Sequence, residues 1–397
     1  MLQAASATAQ KEAQPALQLR DYCPPGFELA KQAGCRLRSL YQSYPSLGDH
    51  GVGGTHTGLP SFRDGFSPQQ IDLGRYLFFD PLLSGDNSLA CASCHNPYQA
   101  FTDGNALSPG ASGQKTLRSA PSLWNSAFLS HLFWDARASS LEQQATGPLY
   151  SPREMNASPQ QLLGKLRAAP HYQKLYGQAF AGTEPLSLEN TYRALAAFQA
   201  SLVSLHSRYD EYAHGNHNAL STVEIKGLNV FRSFVARCAE CHTPPLFTNN
   251  QLAVIGVPEP AGRPLDLGAG KTFANTALNG AFKVPSLRNI AQTAPYMHSG
   301  VFSSLHEVVE FYNGGRGHAL PAQAGLQLHW HIVEPDLQAH EIDALVAFLR
   351  TLSDQRFLPD VPRKLPSGLA PVMLPGAPGH DINPGSSGLV LRRNELE

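Results

Sequence analysis

Two segments of the chain carry the same helical pattern of apolar positions. The first starts at Ser67, where a serine cap, Pro68 at the first helical position and Gln70 at the third predict a helix start. The second starts with the capping box of Ser221 and Glu224. Residues at helical spacing follow each start: Ile71, Gly74, Leu77 and Phe78 in the first, and Ile225, Leu228, Phe231 and Phe234 in the second.

Further helical patterns fill much of the remaining chain, while alternating β patterns are scarce. The predicted helices cover residues 123–136, 139–145, 185–212, 305–312 and 340–352. Residues 96–121 form a long loop rich in Gly, Ser and Pro, and loops of that length inside a domain are usually functional. The sequence therefore predicts a mainly α fold whose helices are joined by long irregular loops.

Each of the two repeated segments leads into the string Cys-x-x-Cys-His, at residues 91–95 and 238–242. In this spacing two thiols form thioethers with the vinyl groups of a porphyrin, and the adjacent imidazole binds the iron. The predicted attachment residues are Cys91, Cys94, Cys238 and Cys241, and the predicted iron ligands are His95 and His242. Two covalently bound c-type haems are expected.

Two other uses of paired cysteines fit the sequence less well. A zinc ribbon places its Cys pairs about 15–20 residues apart, whereas here most of a domain separates them. A thioredoxin-like redox pair needs a βαβ setting, which neither string has.

The repeated helix and string indicate two cytochrome-c-like haem domains. We assign an N-terminal extension to residues 1–60, haem domains to residues 61–214 and 215–358, and a Pro/Gly-rich tail to residues 359–397. Cys23 and Cys35 lie close enough in sequence to close a disulfide loop, which indicates an oxidising compartment. Haem attachment of this type is also completed outside the bacterial cytoplasm, so the expected location is the periplasm.

Charge and hydropathy exclude some classes of partner. The 30 Lys and Arg nearly balance the 31 Asp and Glu, so no basic surface for nucleic acid is indicated. No stretch approaches transmembrane length, and residues 1–20 contain no apolar signal-peptide core, which predicts a mature or trimmed form without a membrane span.

Ordered blocks over residues 65–355 resemble the bacterial dihaem cytochrome c peroxidase and MauG family. These blocks are the two haem strings and residues 77–81, 133–137, 144–148, 154–155, 284–289 and 294–298. The resemblance implies that the N-terminal haem is the peroxide site, with Gln144, Pro148 and Glu154 around it and Glu154 as the acid–base group. It also implies that Trp134 conducts electrons to the C-terminal haem.

Two departures from the peroxidase pattern point toward the MauG and MbnH-like branch. The loop at residues 108–114 lacks the His that blocks the peroxide site in typical dihaem peroxidases, so an open iron is expected. Tyr312 occupies the position where peroxidases place the Met ligand of the second haem, and Met297 and His298 are its rivals. A tyrosine ligand would stabilise oxidised iron better than a thioether does.

The resemblance implies H2O2 as oxidant and a stored high-valent dihaem state that oxidises a Trp of a partner protein. The alternatives are a cytochrome c peroxidase served by a small cytochrome or cupredoxin, and a dihaem electron carrier without catalysis. A structural calcium is usual in the family. The carbonyls of Thr293 and Pro295 match its ligands, but Ser119 replaces the usual Asn, and the sequence leaves Ca2+ open.

Overall fold

Helices dominate the computed structural model, which describes residues 17–30, 34–38, 41, 59–315, 317–320 and 325–378. The predicted mainly helical fold is confirmed. The helices are α1 Pro68–Phe79, α2 Cys91–Cys94, α3 Leu141–Tyr150, α4 Pro159–Ala168, α5 Pro170–Ala179, α6 Leu188–Ala200, α7 Arg208–Ala213, α8 Thr222–Phe231, α9 Cys238–Cys241, α10 Ala269–Thr272, α11 Leu305–Gly314 and α12 Ala339–Arg350. Two antiparallel pairs of short strands accompany them: β1 Phe27–Leu29 with β2 Cys35–Leu37, and β3 Leu252–Val254 with β4 Ala281–Lys283.

Two helix crossings repeat the same close contact. Helix α1 packs across α6, and a Cβ atom on Gly74 would lie 1.9 Å from the carbonyl oxygen of Ala194. Helix α8 packs across α12, and a Cβ atom on Gly227 would lie 1.9 Å from the carbonyl oxygen of Ala344. Only glycine allows the backbones to approach this closely. One Cys-x-x-Cys-His string packs beside each crossing, Cys91 against the apolar cluster of α1 and α6 and Cys238 against that of α8 and α12, so the two halves of the chain share one local arrangement.

We expect Gly227→Ala to destabilise the protein by about 3 kcal/mol, because the added methyl group forces α8 away from α12. Gly177 on α5 is the matched control, since a Cβ atom there meets nothing within 4 Å. Gly177→Ala should instead stabilise the protein by about 0.5–1 kcal/mol through helix propensity. Denaturant midpoints of the two variants test this, and equal midpoints would contradict the close crossing.

The described apolar side chains form two large clusters. The first gathers residues from α1, α4, α5 and α6. The second gathers residues from α8, α11 and α12, together with Tyr209 and Ala213 of α7. The domain limits at residues 214 and 215 remain a prediction.

The extension and the tail are both anchored to these clusters. Cys23 and Cys35 form the predicted disulfide. Cys35 packs beside α1 and α6, whereas Leu37 belongs to the second cluster, so the extension contacts both halves. In the tail, Leu374 packs in the first cluster, and the carbonyl of Pro375 accepts a hydrogen bond of 2.8 Å from Asn96. The prediction about a signal-peptide core falls mostly on residues 1–16, which lie outside the described residues, as do residues 379–397 of the tail.

Three helix predictions were wrong in detail. Residues 123–136 form a short 3-10 turn, Ser126–Phe128, followed by turns, because Asn125 and Phe133 both have positive φ. The single helix predicted over residues 185–212 is broken between α6 and α7, where Ser204 exchanges two 2.9 Å hydrogen bonds with the Asn125 side chain. Helix α8 ends before Phe234, which is exposed. Helices α4 and α5 were not predicted.

Candidate haem sites

The two Cys-x-x-Cys-His strings fold alike. Each pair of cysteines forms one short helix, α2 or α9, and all four thiols are unpaired. The histidine follows directly as the C-cap residue. The Nδ1 atom of His95 lies 2.9 Å from the carbonyl oxygen of Phe101, and that of His242 lies 3.1 Å from those of Phe247 and Pro285.

Both histidines are held in the form that binds iron. Burial lowers the pKa of His95, and burial lowers the pKa of His242 to about 4, so both rings are neutral near pH 7. The carbonyl contacts assign the proton to Nδ1 and leave Nε2 available as a ligand.

A repeated Pro-Ser-Leu-x-Asn motif supports the two histidines. It spans residues 121–125 in the first half and 285–289 in the second. The carbonyls of Pro121 and Pro285 face His95 and His242 respectively. Each motif ends in an Asn with φ of 61°. The motif therefore places equivalent residues of the two halves around equivalent imidazoles.

A largely apolar cavity adjoins the second string. Its wall includes Cys238, Cys241 and His242 together with side chains of α8, α11 and α12. A covalent haem needs two free thiols for attachment, a neutral imidazole for its iron and apolar walls around its ring. These residues therefore fit the predicted cofactor.

Tyr312 and Met297 both line this cavity. Burial raises the pKa of Tyr312, with smaller increases from the nearby Cys238 and Cys241. The predicted ligand thus shares this cavity with the attachment cysteines, and so does Met297.

His298 is committed to other contacts. Its Nε2 atom lies 2.8 Å from Oε1 of Glu259, and its ring stacks on Phe282 with 3.9 Å between the centroids. This arrangement disfavours His298 as the rival ligand.

Gln144 and Pro148 lie on α3, and Glu154 lies in the turn that follows it. Gln144 and Pro148 are four residues apart and share one face of the helix. The N–H of Met155 donates to the carbonyl of Pro148 at 3.0 Å, which folds the next turn back and brings Glu154 to the same end.

Glu154 lies within coulombic range of the first string. Burial and the charge of Asp103 raise the pKa of the Cys94 thiol to about 12, a hydrogen bond with Ser108 lowers it, and Glu154 adds a smaller increase. Burial also raises the pKa of Glu154 itself, while Ser151 and Arg137 lower it less. A carboxyl with a raised pKa can both accept and return a proton near neutral pH.

The loop that lacks a His is fixed against the Glu154 turn. The N–H of Ala111 donates to the carbonyl of Glu154 at 2.8 Å, and the hydroxyl of Ser112 donates to the carbonyl of Pro152 at 2.9 Å. A Cβ atom on Gly110 would lie 2.1 Å from the carbonyl oxygen of Arg153, so only glycine fits there. The loop backbone thereby positions Glu154.

Trp134 lies between the two halves and bonds to both. Its indole Nε1–H donates to the carbonyl of Ser119 at 2.8 Å, and its own carbonyl accepts from the N–H of Lys283 at 2.7 Å. Ser119 and Lys283 both lie two residues before the proline of the repeated motif. Trp134 is therefore held by equivalent positions of the two repeats.

Sequence reasoning missed the ion pairs that fix this junction. Arg118 is bound to Asp135 at 2.7 Å and to Asp266 at 2.6 Å. The position of Arg118 just before the first Pro-Ser-Leu-x-Asn motif was the available signal. The three predicted calcium residues, Ser119, Thr293 and Pro295, line the same cavity as Tyr312, and calcium binding by them remains a prediction.

Sequence relatives identify the family. The model of the di-haem cytochrome c peroxidase family matches residues 68–218. The methylamine utilization protein MauG of Methylorubrum extorquens is 38% identical over 289 residues, which is 72% of this chain and 78% of that protein. The chain belongs to the di-haem cytochrome c peroxidase family. This family implies two c-type haems, and the chain is a peroxidase-type oxidoreductase.

Other members of the di-haem cytochrome c peroxidase family are similarly related. The cytochrome c551 peroxidase of Pseudomonas aeruginosa is 35% identical over 296 residues, covering 73% of this chain and 80% of that protein. Among solved structures, a MauG-like protein associated with microbial copper homeostasis is 34% identical, with a TM-score of 0.66 over 74% of this chain and 92% of that one. The diheme peroxidase BthA of Burkholderia thailandensis is 28% identical, with a TM-score of 0.66 over 90% of this chain and 99% of that one.

Proposed function

We propose that this enzyme acts in the periplasm and uses H2O2 to oxidise an aromatic residue, a Trp, of a partner protein. Relatives named MauG and relatives named cytochrome c peroxidase match it about equally well, so family membership alone does not select between these activities. The observation that carries the proposal is Tyr312, which lines the cavity beside Cys238 and Cys241. A tyrosine ligand favours retention of oxidising equivalents over rapid discharge.

The residues at the first string support peroxide chemistry. When bound, a c-type haem with an open iron position supplies the redox chemistry that cleaves the O–O bond. Glu154 accepts the proton of the H2O2 oxygen that binds and returns it to the departing oxygen, which leaves as water. Gln144 offers its amide as a hydrogen-bond donor, and Pro148 contributes an apolar wall without an N–H. The fixed loop at residues 108–114 supports a site that is open without prior reduction.

Oxidation of a partner residue also needs a route through the protein. Trp134 is suited to this because it bonds to residues of both halves. Its N–H is held by a peptide carbonyl, which does not accept a proton. Electron transfer through Trp134 therefore leaves the indole proton in place.

One equivalent of H2O2 added to the diferric, haem-loaded protein tests the proposal. We expect the absorption of both haems to change together, to persist without a partner, and to return only when a protein donor is added. Immediate decay, with fast turnover of a reduced small cytochrome or cupredoxin, would instead support the peroxidase activity. That second function is favoured by the cytochrome c551 peroxidase relatives.

We expect Trp134→Phe to delay the response of the second haem to H2O2 relative to that of the first. The first haem should react with H2O2 at its normal rate while the response of the second is delayed, because phenylalanine is harder to oxidise and lacks the bond to Ser119. Stopped-flow absorbance at both haem bands measures this. Trp124→Phe is the control, since Trp124 is a buried tryptophan packed against Phe101. An equal delay in both variants would contradict a specific role for Trp134.

A further inference from the structure

Lys283 is a buried cation in the wall of the second cavity. Lys283 is 9% exposed and lines the cavity together with Cys238, Cys241 and His242. Within the described ranges, its ammonium makes no hydrogen bond or ion pair, whereas its backbone N–H donates to the carbonyl of Trp134. Burial lowers the pKa of Lys283 to about 8. A buried ammonium without a counter-charge is strongly unfavourable, so an anion is expected beside it.

The protein does not supply that anion from the cavity wall. Among the described residues that line the cavity there is no Asp or Glu, although three cationic side chains, Arg237, Lys283 and Arg288, are present. Arg288 is already paired with the buried carboxylate of Asp210. A haem attached to Cys238 and Cys241 would bring two propionate carboxylates into this cavity. The charge of Lys283 is complementary to them.

The first half of the chain has no cation at the matching position. Lys283 lies two residues before Pro285, and Ser119 lies two residues before Pro121 in the first copy of the motif. Both aligned residues contact Trp134: the carbonyl of Ser119 accepts from the indole N–H, and the N–H of Lys283 donates to the backbone carbonyl of Trp134. At this aligned position, the second half thus carries a buried positive charge that the first half lacks.

We propose that the ammonium of Lys283 pairs with a propionate of the second haem and raises the reduction potential of that haem selectively. A nearby positive charge favours the reduced state, which carries one more negative charge than the oxidised state. The second haem thereby withdraws electrons from a donor more strongly than its axial ligands alone would allow. The inference requires only a haem at the second string, which both candidate functions share. The inference and the proposed function can therefore fail independently of each other.

Spectroelectrochemical titration of the haem-loaded protein tests this inference. In Lys283→Met we expect the reduction equilibrium of the second haem to shift at least tenfold toward the oxidised form, which is about 59 mV for one electron. The potential of the first haem should remain close to its original value. Lys283→Arg, which keeps the charge, should preserve both potentials. Lys271→Met, which removes an exposed lysine on α10, is the matched control and should also preserve them.

Two results would overturn the inference. One is an unchanged second potential in Lys283→Met protein that carries both haems, and the other is an equal fall at both haems. If Lys283→Met does not yield the two-haem protein, Lys283→Gln replaces it, because the glutamine amide can form hydrogen bonds but carries no charge. The potentials of the two haems are then compared in the same way.

Discussion

Glu154→Gln is expected to slow the reaction with H2O2 by ~10²–10⁴-fold, the usual contribution of a positioned general acid–base group. The amide keeps the size of the side chain and its place at the end of α3, but it cannot take the proton from peroxide. The absorption spectrum before H2O2 is added should not change, because Glu154 is not an iron ligand in this assignment. Stopped-flow absorbance of the haem-loaded protein measures the rate.

Glu142→Gln, in the first turn of α3, is a matched control. Glu142 pairs with Arg63 near the protein surface, and loss of such a pair has little effect. It should therefore react at the wild-type rate. If Glu154→Gln also reacts at that rate, another group performs the proton transfer.

The pH dependence of the same reaction provides a second test. Glu154 must be ionised to accept a proton, and burial raises its pKa. The rate should therefore fall as the pH drops through that raised pKa, with its midpoint above the ordinary glutamate value of about 4.3. The fall should be absent in Glu154→Gln, which has no carboxyl to protonate.

The sequence predicted those parts of the fold that depend on local signals. Ser67 and Ser221 cap α1 and α8 with the predicted capping boxes. The helix predictions for residues 123–136 and 185–212 were wrong. The apolar spacing of both segments suits a helix, but long-range contacts impose a different backbone conformation. The reciprocal hydrogen bonds of Asn125 with Ser204, 79 residues away, hold both segments out of helical geometry. No pattern confined to one segment contains that information.

The residues of the candidate sites also divide into those that a local motif identifies and those that depend on long-range folding. Spacing alone located the cysteines and histidines, because haem attachment is a local motif. Glu154 could be named only through family resemblance, since its proximity to Cys94 arises from the folding of a turn onto α3. Lys283 was missed although a signal existed. Alignment of the two Pro-Ser-Leu-x-Asn motifs shows Lys283 before the second copy at the position where Ser119 precedes the first copy.

Tyr312→Phe is expected to abolish the low-spin ferric signal of the second haem. Phenylalanine keeps the ring against the cavity wall but lacks the oxygen that would bind the iron. Tyr312→Met should instead restore a low-spin haem with a thioether ligand. Its potential should rise by on the order of 0.2 V, within the roughly 0.8 V that axial ligands can cover. Electron paramagnetic resonance and potentiometry measure the two effects.

Tyr296→Phe separates loss of a ligand from loss of a buried hydroxyl. Tyr296 lines the same cavity, but its hydroxyl donates to the carbonyl of Ile290 at 3.1 Å. Its removal should leave the low-spin signal intact. A signal that survives in Tyr312→Phe but disappears in Met297→Leu would transfer the ligand role to Met297. The stored-oxidant function would then lose its main support, because a thioether ligand favours the reduced iron of an electron relay.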